Sequence, residues 1–131
     1  MSGNLILLFA EDPAVIRWAE EEVDDKGTSF FVMSKLPELI WALTQDVPPR
    51  PQVVVLDFDA LSPAALLELH AARERWFGAI IALGTVSNEL KTSLNIDYVL
   101  PRPLGSEALR DTIGRVGLDK LTVKMPKLKR P

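Results

Sequence analysis

The sequence has no cysteine, and this absence excludes several kinds of chemistry at once. Disulfide bonds, thiolate metal sites and cysteine nucleophiles are ruled out, and the composition is compatible with a reducing compartment. A single histidine, His70, leaves too few ligands for a transition-metal site. His70 also falls beside an apolar helical stripe, where we expect a place on the flank of a helix rather than a catalytic role.

Three further absences narrow the function. Neither GxGxxG nor GxxxxGK[ST] occurs, which argues against a phosphate-binding glycine loop. No apolar run is long enough to span a bilayer, and residues 1–4 carry no basic region, so we expect no membrane partner and no secretory signal. With a formal net charge of -3 the body of the domain is not expected to bind nucleic acid.

Length and composition indicate one globular domain. The 131 residues are 47% hydrophobic and 25% charged. This is enough apolar material for a core that needs no disulfide bond or metal ion to stabilise it. We assign the domain to residues 1–117. Residues 118–131 combine one acid with five cations and predict a basic, flexible tail or linker; the cations are Lys120, Lys124, Lys127, Lys129 and Arg130.

The strongest local pattern is the apolar run 53–56, which ends at Asp57. Three of its four residues are β-branched, as is typical of a strand buried on both faces of a parallel sheet. Apolar runs over 5–9 and 79–83 and the shorter β-rich stretches 29–33 and 97–100 predict four more strands. Stretches with helical spacing follow each strand, and two of them begin at capping pairs, Asp12-Pro13 and Ser62-Pro63.

Five strands that alternate with five helices predict an α/β fold, a three-layer sandwich around a parallel sheet. We expect the flavodoxin-like (βα)5 arrangement with strand order 2-1-3-4-5. The stretch before the fifth strand is short and predicts a shortened fourth helix of about two turns.

Several side-chain positions follow from helical geometry. The first helix should run to about Asp25 with residues 20–22 outside, and Ser106 should cap the last helix. The stem of Arg73 should lie along apolar surface with its charge in water. Trp41 and Leu67 should point away from the core.

The predicted strand order brings acidic residues to one edge of the sheet. The ends of the first and third strands are neighbours, so Glu11, Asp12, Asp57 and Asp59 should lie close together. Several carboxylates at one place repel one another unless a cation relieves them, and Mg²⁺ prefers such ligands. Asp57 ends the most buried strand and is the best functional candidate, whereas helix capping alone accounts for Asp12.

Over residues 4–117 the sequence resembles the CheY-like receiver domain of two-component response regulators. The resemblance rests on the strand 5–9 before Glu11-Asp12-Pro13, on 51–57 with its closing aspartate, and on the stretch 97–103 before the last helix. It implies that Asp57 is the phosphoryl acceptor. It also implies a bound Mg²⁺, which Glu11, Asp57 and a carbonyl near Asp59 would hold, and a cis bond before Pro103.

The sequence departs from the family at its switch positions. The acidic pair falls on Ala10 and Glu11, the hydroxyl residue on Gly84 with Thr85 one place later, and the lysine on Arg102. Gly84 has no hydroxyl to follow a phosphoryl group, and the planar fork of arginine does not replace an ammonium group. These departures indicate a degenerate receiver, or pseudo-receiver. Such a domain is a protein-protein interaction module of bacterial signal transduction with weak or no dependence on phosphorylation.

The resemblance also implies partners and leaves two alternatives open. The partners would be other signalling proteins, with a histidine kinase and a second copy of the chain as candidates, in the cytoplasm. One alternative is a phosphorylatable receiver that uses Asp57 and Mg²⁺. The other is a phosphatase of the haloacid-dehalogenase type with Asp57 as nucleophile and Asp59 as general acid. That motif requires threonine where Leu61 stands, so we expect no enzyme.

Overall fold

The computed structural model describes residues 4–23, 28–45 and 50–116. Within them one parallel sheet has the order β2-β1-β3-β4-β5, which confirms the predicted flavodoxin-like fold. The strands are β1 (Asn4–Phe9), β2 (Thr28–Met33), β3 (Val53–Asp57), β4 (Ala79–Leu83) and β5 (Tyr98–Leu100). The helices are α1 (Pro13–Glu22), α2 (Leu36–Thr44), α3 (Pro63–Ala72), α4 (Asn88–Ser93) and α5 (108–116), and a 3₁₀ turn, Phe58–Ala60, follows β3.

The central strand β3 is buried along its whole length. It pairs with β1 on one side and β4 on the other, with Val54 opposite Leu7 and Ile80. Because helices cover both faces of the sheet, every side chain of β3 meets an apolar layer, which explains the continuous apolar run.

Two apolar cores lie on the two faces of the sheet. The first lies between the sheet and the pair α1 and α5, and its members include Val55, Val15 and Leu109. The second lies beneath α2 and α3 and reaches the end of α4, with Leu39, Leu69 and Leu94 among its members. The predicted three layers are therefore present, and the six-residue α4 confirms the shortened fourth helix.

Two predicted helix caps are formed by the expected side chains. Asp12 Oδ1 accepts a hydrogen bond from the backbone N–H of Ala14 at 2.9 Å. Ser62 Oγ accepts one from the N–H of Ala65 at 3.1 Å. Each cap satisfies a backbone donor that would otherwise lack a partner in the first turn.

The start of α5 differs from the prediction, because the carboxylate of Glu22 caps it instead of Ser106. Glu22 Oε2 accepts from the N–H of Glu107 at 2.9 Å. Its Oε1 accepts from the N–H groups of Leu109 at 2.9 Å and Arg110 at 3.2 Å. Glu22 is therefore buried between α1 and α5, and its predicted place outside was wrong.

Arg73 also differs from the prediction, since its guanidinium is directed into the protein. The group lies 4.9 Å from the centre of the Trp76 ring. Burial lowers the pKa of Arg73, and the charge of Asp97 at 4.0 Å partly opposes that effect. The guanidinium donates four hydrogen bonds to backbone carbonyls, which belong to Trp76, Gly78, Leu94 and Asn95.

The other predictions concern exposed apolar side chains, the end of the first helix and membrane-spanning segments. Trp41 and Leu67 are exposed as expected, and Phe31 and Phe77 are exposed without having been predicted so. The first helix ends at Glu22, and the predicted end at Asp25 and the tail 118–131 lie outside the described residues. No helix in the described ranges has the length and apolar character needed to cross a membrane.

Candidate functional site

Asp57 is the last residue of β3, and its side chain is buried at the carboxyl end of the sheet. Its Oδ1 accepts a hydrogen bond from the backbone N–H of Asp59 at 3.2 Å. This short-range bond starts the 3₁₀ turn that follows the strand. The turn brings the carboxylate of Asp59 to the same edge of the sheet as Asp57.

A single guanidinium joins the two carboxylates. Arg102 Nη2 donates to Asp57 Oδ1 at 2.9 Å, and Arg102 Nε donates to Asp59 Oδ2 at 2.6 Å. Arg102 lies in the loop after β5, and its bond to Pro103 is cis, as expected. The rigid fork of arginine allows two neighbouring donors to serve two acceptors at once.

One of the two negative charges of this site is compensated within the protein, by Arg102. Burial lowers the pKa of Arg102, but the hydrogen bonds and charges of Asp59 and Asp57 outweigh it and raise that pKa overall. Arg102 is therefore a lasting positive charge beside the two carboxylates. The Asp57 side chain is only 3% exposed, whereas Asp59 is 63% exposed, so the ion pair with Asp57 is the more desolvated one.

The other predicted acidic residues form no hydrogen bond or ion pair with Arg102, although Asp12 and Arg102 line the same shallow groove. Asp12 caps α1, and the exposed Glu11 forms no hydrogen bond or ion pair with other described residues. Ala10 is buried, and its N–H donates to the carbonyl of Met33 at 3.2 Å. Over the described ranges, no three acidic or histidine side chains come close enough together to hold a metal ion.

The chemistry of the donor set therefore does not fit Mg²⁺ in this arrangement. Asp57 Oδ1 already accepts two hydrogen bonds, and the nearest oxygen of Asp59 is bound to Arg102. The guanidinium already places a positive charge between the carboxylates, so a divalent ion there would be repelled by a cation of the protein itself. A magnesium site at Glu11, Asp12, Asp57 and Asp59 stays a prediction that this geometry does not favour.

Gly84 directly follows β4 and lies next to Asp59 in the same site. Its φ is +113°, which side chains of L residues rarely adopt, and a Cβ there would lie 3.5 Å from Asp59 Oδ1. Its N–H donates to the carbonyl of Leu100 at 2.9 Å, which continues the pairing of β4 with β5. Position 84 thus faces the carboxylates without a hydroxyl, and the hydroxyl-bearing Thr85 is exposed.

We expect Gly84→Ala to lower the free energy of unfolding by about 1–3 kcal/mol, because alanine is strained at this positive φ. Urea unfolding at neutral pH measures the change. Gly114→Ala is the matched control, since Gly114 lies in α5 with open space around it. This substitution should raise the free energy of unfolding by about 0.5–1 kcal/mol. Equal effects of the two substitutions would contradict the role of the backbone at Gly84.

A shallow groove lies beside the guanidinium. It has a volume of about 590 Å³ and runs between α1 and the loop after β5. Trp18 forms one wall, and its Nε1 donates to the carbonyl of Gly105 at 3.0 Å. This bond holds the loop that carries Arg102 against α1.

Comparison with known proteins supports the fold. No protein-family model matches the sequence, and no curated protein matches it significantly. Among solved structures, the chemotaxis protein CheY4 of Vibrio cholerae has a TM-score of 0.69 at 19% identity, over 88% of this chain and 99% of that one. A response regulator receiver protein from Burkholderia phymatum has a TM-score of 0.68 at 15% identity, over 86% and 94%.

A third similar structure comes from a different context. It is a putative pilus assembly protein (cpaE) from Burkholderia thailandensis, with a TM-score of 0.67 at 19% identity over 87% of this chain and 98% of that one. At such identities the likeness concerns the fold alone. The chain therefore has the fold of CheY-like receiver domains.

The sequence indicated the importance of Asp57 but not its pairing with Arg102. A signal was present in the sequence, because the loop after β5 carries Arg102 at the carboxyl end of the sheet, where Asp57 and Asp59 also lie. An arginine with two donors in one plane can satisfy both carboxylates without an outside ion.

Proposed function

We propose that this chain is a pseudo-receiver, a protein-interaction module of bacterial signal transduction whose conformation depends weakly or not at all on phosphorylation. The observation that carries the proposal is the guanidinium of Arg102, which bridges Asp57 and Asp59. A phosphoryl-acceptor site would receive positive charge from a bound metal ion. Here Arg102, a side chain of the protein itself, supplies a positive charge at that place.

Two further features support this function. Position 84 has no hydroxyl to follow a phosphoryl group, and its backbone conformation disfavours residues that have one. The Arg102 side chain is bound to Asp57 at the end of β3 and to Asp59 in the turn that follows. The loop after β5 is therefore already fixed to β3. A loop that is already fixed to β3 leaves less for phosphorylation to shift.

The proposed partners follow from this function. We propose that the domain binds other signalling proteins in the cytoplasm, with a histidine kinase among the candidates, and that it catalyses no reaction. As a phosphatase it would need Asp59 as a proton donor, but the Asp59 carboxylate is bound to Arg102. A generic aryl phosphate should therefore not be hydrolysed.

The test is a titration of the isotope-labelled chain with Mg²⁺ and then beryllofluoride, followed by backbone amide spectra. We expect no saturable shifts at Gly84 or Arg102, because the guanidinium already occupies the carboxylate that an incoming group would need. Asp57→Asn is the matched control, since it removes the acceptor and keeps the shape of the side chain. Saturable shifts that reach Gly84 and Arg102 and vanish in Asp57→Asn would contradict the proposal.

That outcome would instead favour a phosphorylatable receiver. One observation supports this second candidate, since the Arg102 side chain is 37% exposed and has solvent beside it into which it could move. The function would then be a switch in which the arginine leaves the carboxylates when a phosphoryl group arrives.

A further inference from the structure

Arg102 lies in the loop that joins β5 to α5, which we call the arginine loop (residues 101–107). The sheet holds the start of this loop, because the carbonyl of Leu100 accepts a hydrogen bond from the N–H of Gly84 at 2.9 Å. The Arg102 side chain pairs with the buried Asp57 but is itself 37% exposed. Protein therefore surrounds only part of the guanidinium, and its position depends on where the backbone of the arginine loop is held.

Trp18 on α1 holds this backbone from the neighbouring helix. Its Nε1 donates to the carbonyl of Gly105 at 3.0 Å. The Trp18 ring packs against the apolar core on this face of the sheet, as does Leu104 of the arginine loop. Among the described residues, no other side chain donates a hydrogen bond to the backbone of the arginine loop. The indole N–H therefore links this loop to a core that is already packed.

The end of the arginine loop is held by the same helix. Glu22 Oε2 on α1 accepts a hydrogen bond from the N–H of Glu107 at 2.9 Å. Glu107 has a φ of +65°, in the left-handed region that residues with a Cβ adopt at a cost. A backbone in this conformation persists only where its surroundings hold it. Helix α1 therefore imposes the course of the arginine loop at two points, Gly105 and Glu107.

The link from Trp18 to the acidic site is short and stiff. Two residues separate Arg102 from Gly105, and one of them is Pro103, whose ring fixes φ. The guanidinium donates to the two carboxylates at 2.6 and 2.9 Å. Such hydrogen bonds lie at about 2.7–3.2 Å and are lost near about 3.6 Å, so a shift of the loop by about 1 Å is enough to weaken them.

We infer that Trp18 is a positioning residue, which keeps the guanidinium of Arg102 at the acidic site through its hydrogen bond to Gly105. This role rests on the proposed function, in which Arg102 supplies the positive charge at Asp57. The two contacts are coupled, because each of them restricts the same short loop. Coupling acts equally in both directions, so loss of the Trp18 bond loosens Arg102 and loss of Arg102 loosens the Trp18 bond.

Trp18→Phe removes the indole donor and keeps an aromatic ring against the core. We expect exchange of the Arg102 Nε–H with water, followed by magnetic resonance of the isotope-labelled chain, to accelerate about three- to tenfold. Exchange requires that its hydrogen bond to Asp59 opens. The Arg73 Nε–H, which donates to a carbonyl at the end of α4 at 2.9 Å, is the reference in the same spectrum and should not change. Trp41→Phe is the matched control, since Trp41 is exposed on α2.

The reciprocal experiment removes the guanidinium and observes the indole. Arg102→Ala is expected to accelerate exchange of the Trp18 Nε1–H by a similar factor, about three- to tenfold. The Trp76 Nε1–H, which donates to the carbonyl of Pro51 at 2.7 Å, is the reference here and should exchange as in the wild type. Circular dichroism verifies that the variants fold. A general loss of stability would accelerate both indole groups, whereas the coupling accelerates one of them.

Three outcomes would overturn the positioning role of Trp18. They are an Arg102 Nε–H that exchanges at the wild-type rate in Trp18→Phe, an acceleration that the Arg73 Nε–H shares, and a Trp18 Nε1–H that Arg102→Ala leaves unchanged. Each of them can occur while the beryllofluoride titration of the wild type still supports the pseudo-receiver, since that titration involves no change at Trp18. Saturable beryllofluoride shifts in the wild type would instead contradict the proposed function, whatever Trp18→Phe does.

Discussion

Replacing Arg73 with alanine is expected to lower the free energy of unfolding by about 3–5 kcal/mol, the largest effect of any single substitution considered for this chain. The guanidinium donates to four backbone carbonyls and lies against the ring of Trp76. Alanine leaves the partly buried carbonyls without their donor and opens a gap beside the indole.

Urea unfolding of the wild type, Arg73→Ala and Arg73→Lys measures the effect. The lysine variant should fall between the other two, because an ammonium group keeps the charge but cannot reach four acceptors in one plane. Arg17→Ala is the matched control, since Arg17 is exposed on α1 and its loss should change stability by less than about 0.5 kcal/mol. A loss below about 1 kcal/mol in Arg73→Ala would show that water replaces the guanidinium.

The place of Arg73 explains how the chain accommodates its short fourth helix. Two of the four carbonyls, those of Leu94 and Asn95, lie just after α4, where a helix leaves backbone acceptors without partners. The arginine of α3 satisfies them from the neighbouring helix. The segment between α4 and β5 is therefore held by a side chain of α3.

The fold could be predicted because its signals are local and repeated. The apolar run before Asp57 reports burial on both faces of a strand, and caps such as Asp12 and Ser62 act within one helical turn. The strand order followed from the alternation of strands and helices together with the flavodoxin-like pattern. None of these inferences required knowledge of a distant contact.

Glu22 and Arg73 could not be placed in this way. Helical periodicity assigns a charged residue to the outside, and it does so for Glu22 because the helix alone offers its carboxylate no partner. The partners lie 85 to 88 residues away in sequence, on the first turn of α5. Such contacts follow from the packing of α1 against α5, which the pattern of one helix does not contain.

The candidate site likewise contains features that could be predicted from the sequence and contacts that could not. Asp57 was predicted from its position at the end of a buried strand, and Gly84 from the resemblance to receiver domains, whose hydroxyl residue falls at this position. The expectation that Glu11 and Asp12 lie close to Asp57 stays a prediction, while the predicted capping role of Asp12 is confirmed by its hydrogen bond from the N–H of Ala14. The pairing of Arg102 joins two loops that are distant in sequence, so only the structure could show it.

The second large effect is expected at Glu22, where alanine should lower the free energy of unfolding by about 2–4 kcal/mol. The carboxylate accepts three backbone N–H groups at the start of α5, where the helix dipole favours a negative charge. Without it these donors lose their acceptor between two packed helices, and α5 is expected to fray from this end. Amide hydrogen exchange at Leu109 and Arg110 should accelerate together with the loss of stability.

Two variants separate the role of the carboxylate from that of the helix surface. Glu22→Gln should cost less than Glu22→Ala, since the amide oxygen can still accept from Leu109 and Arg110 while its NH₂ group faces the N–H of Glu107. Glu20→Ala on the exposed face of α1 should change stability by less than about 0.5 kcal/mol. If Glu22→Ala is as mild as Glu20→Ala, the start of α5 is satisfied by water, and the carboxylate does not join the two helices.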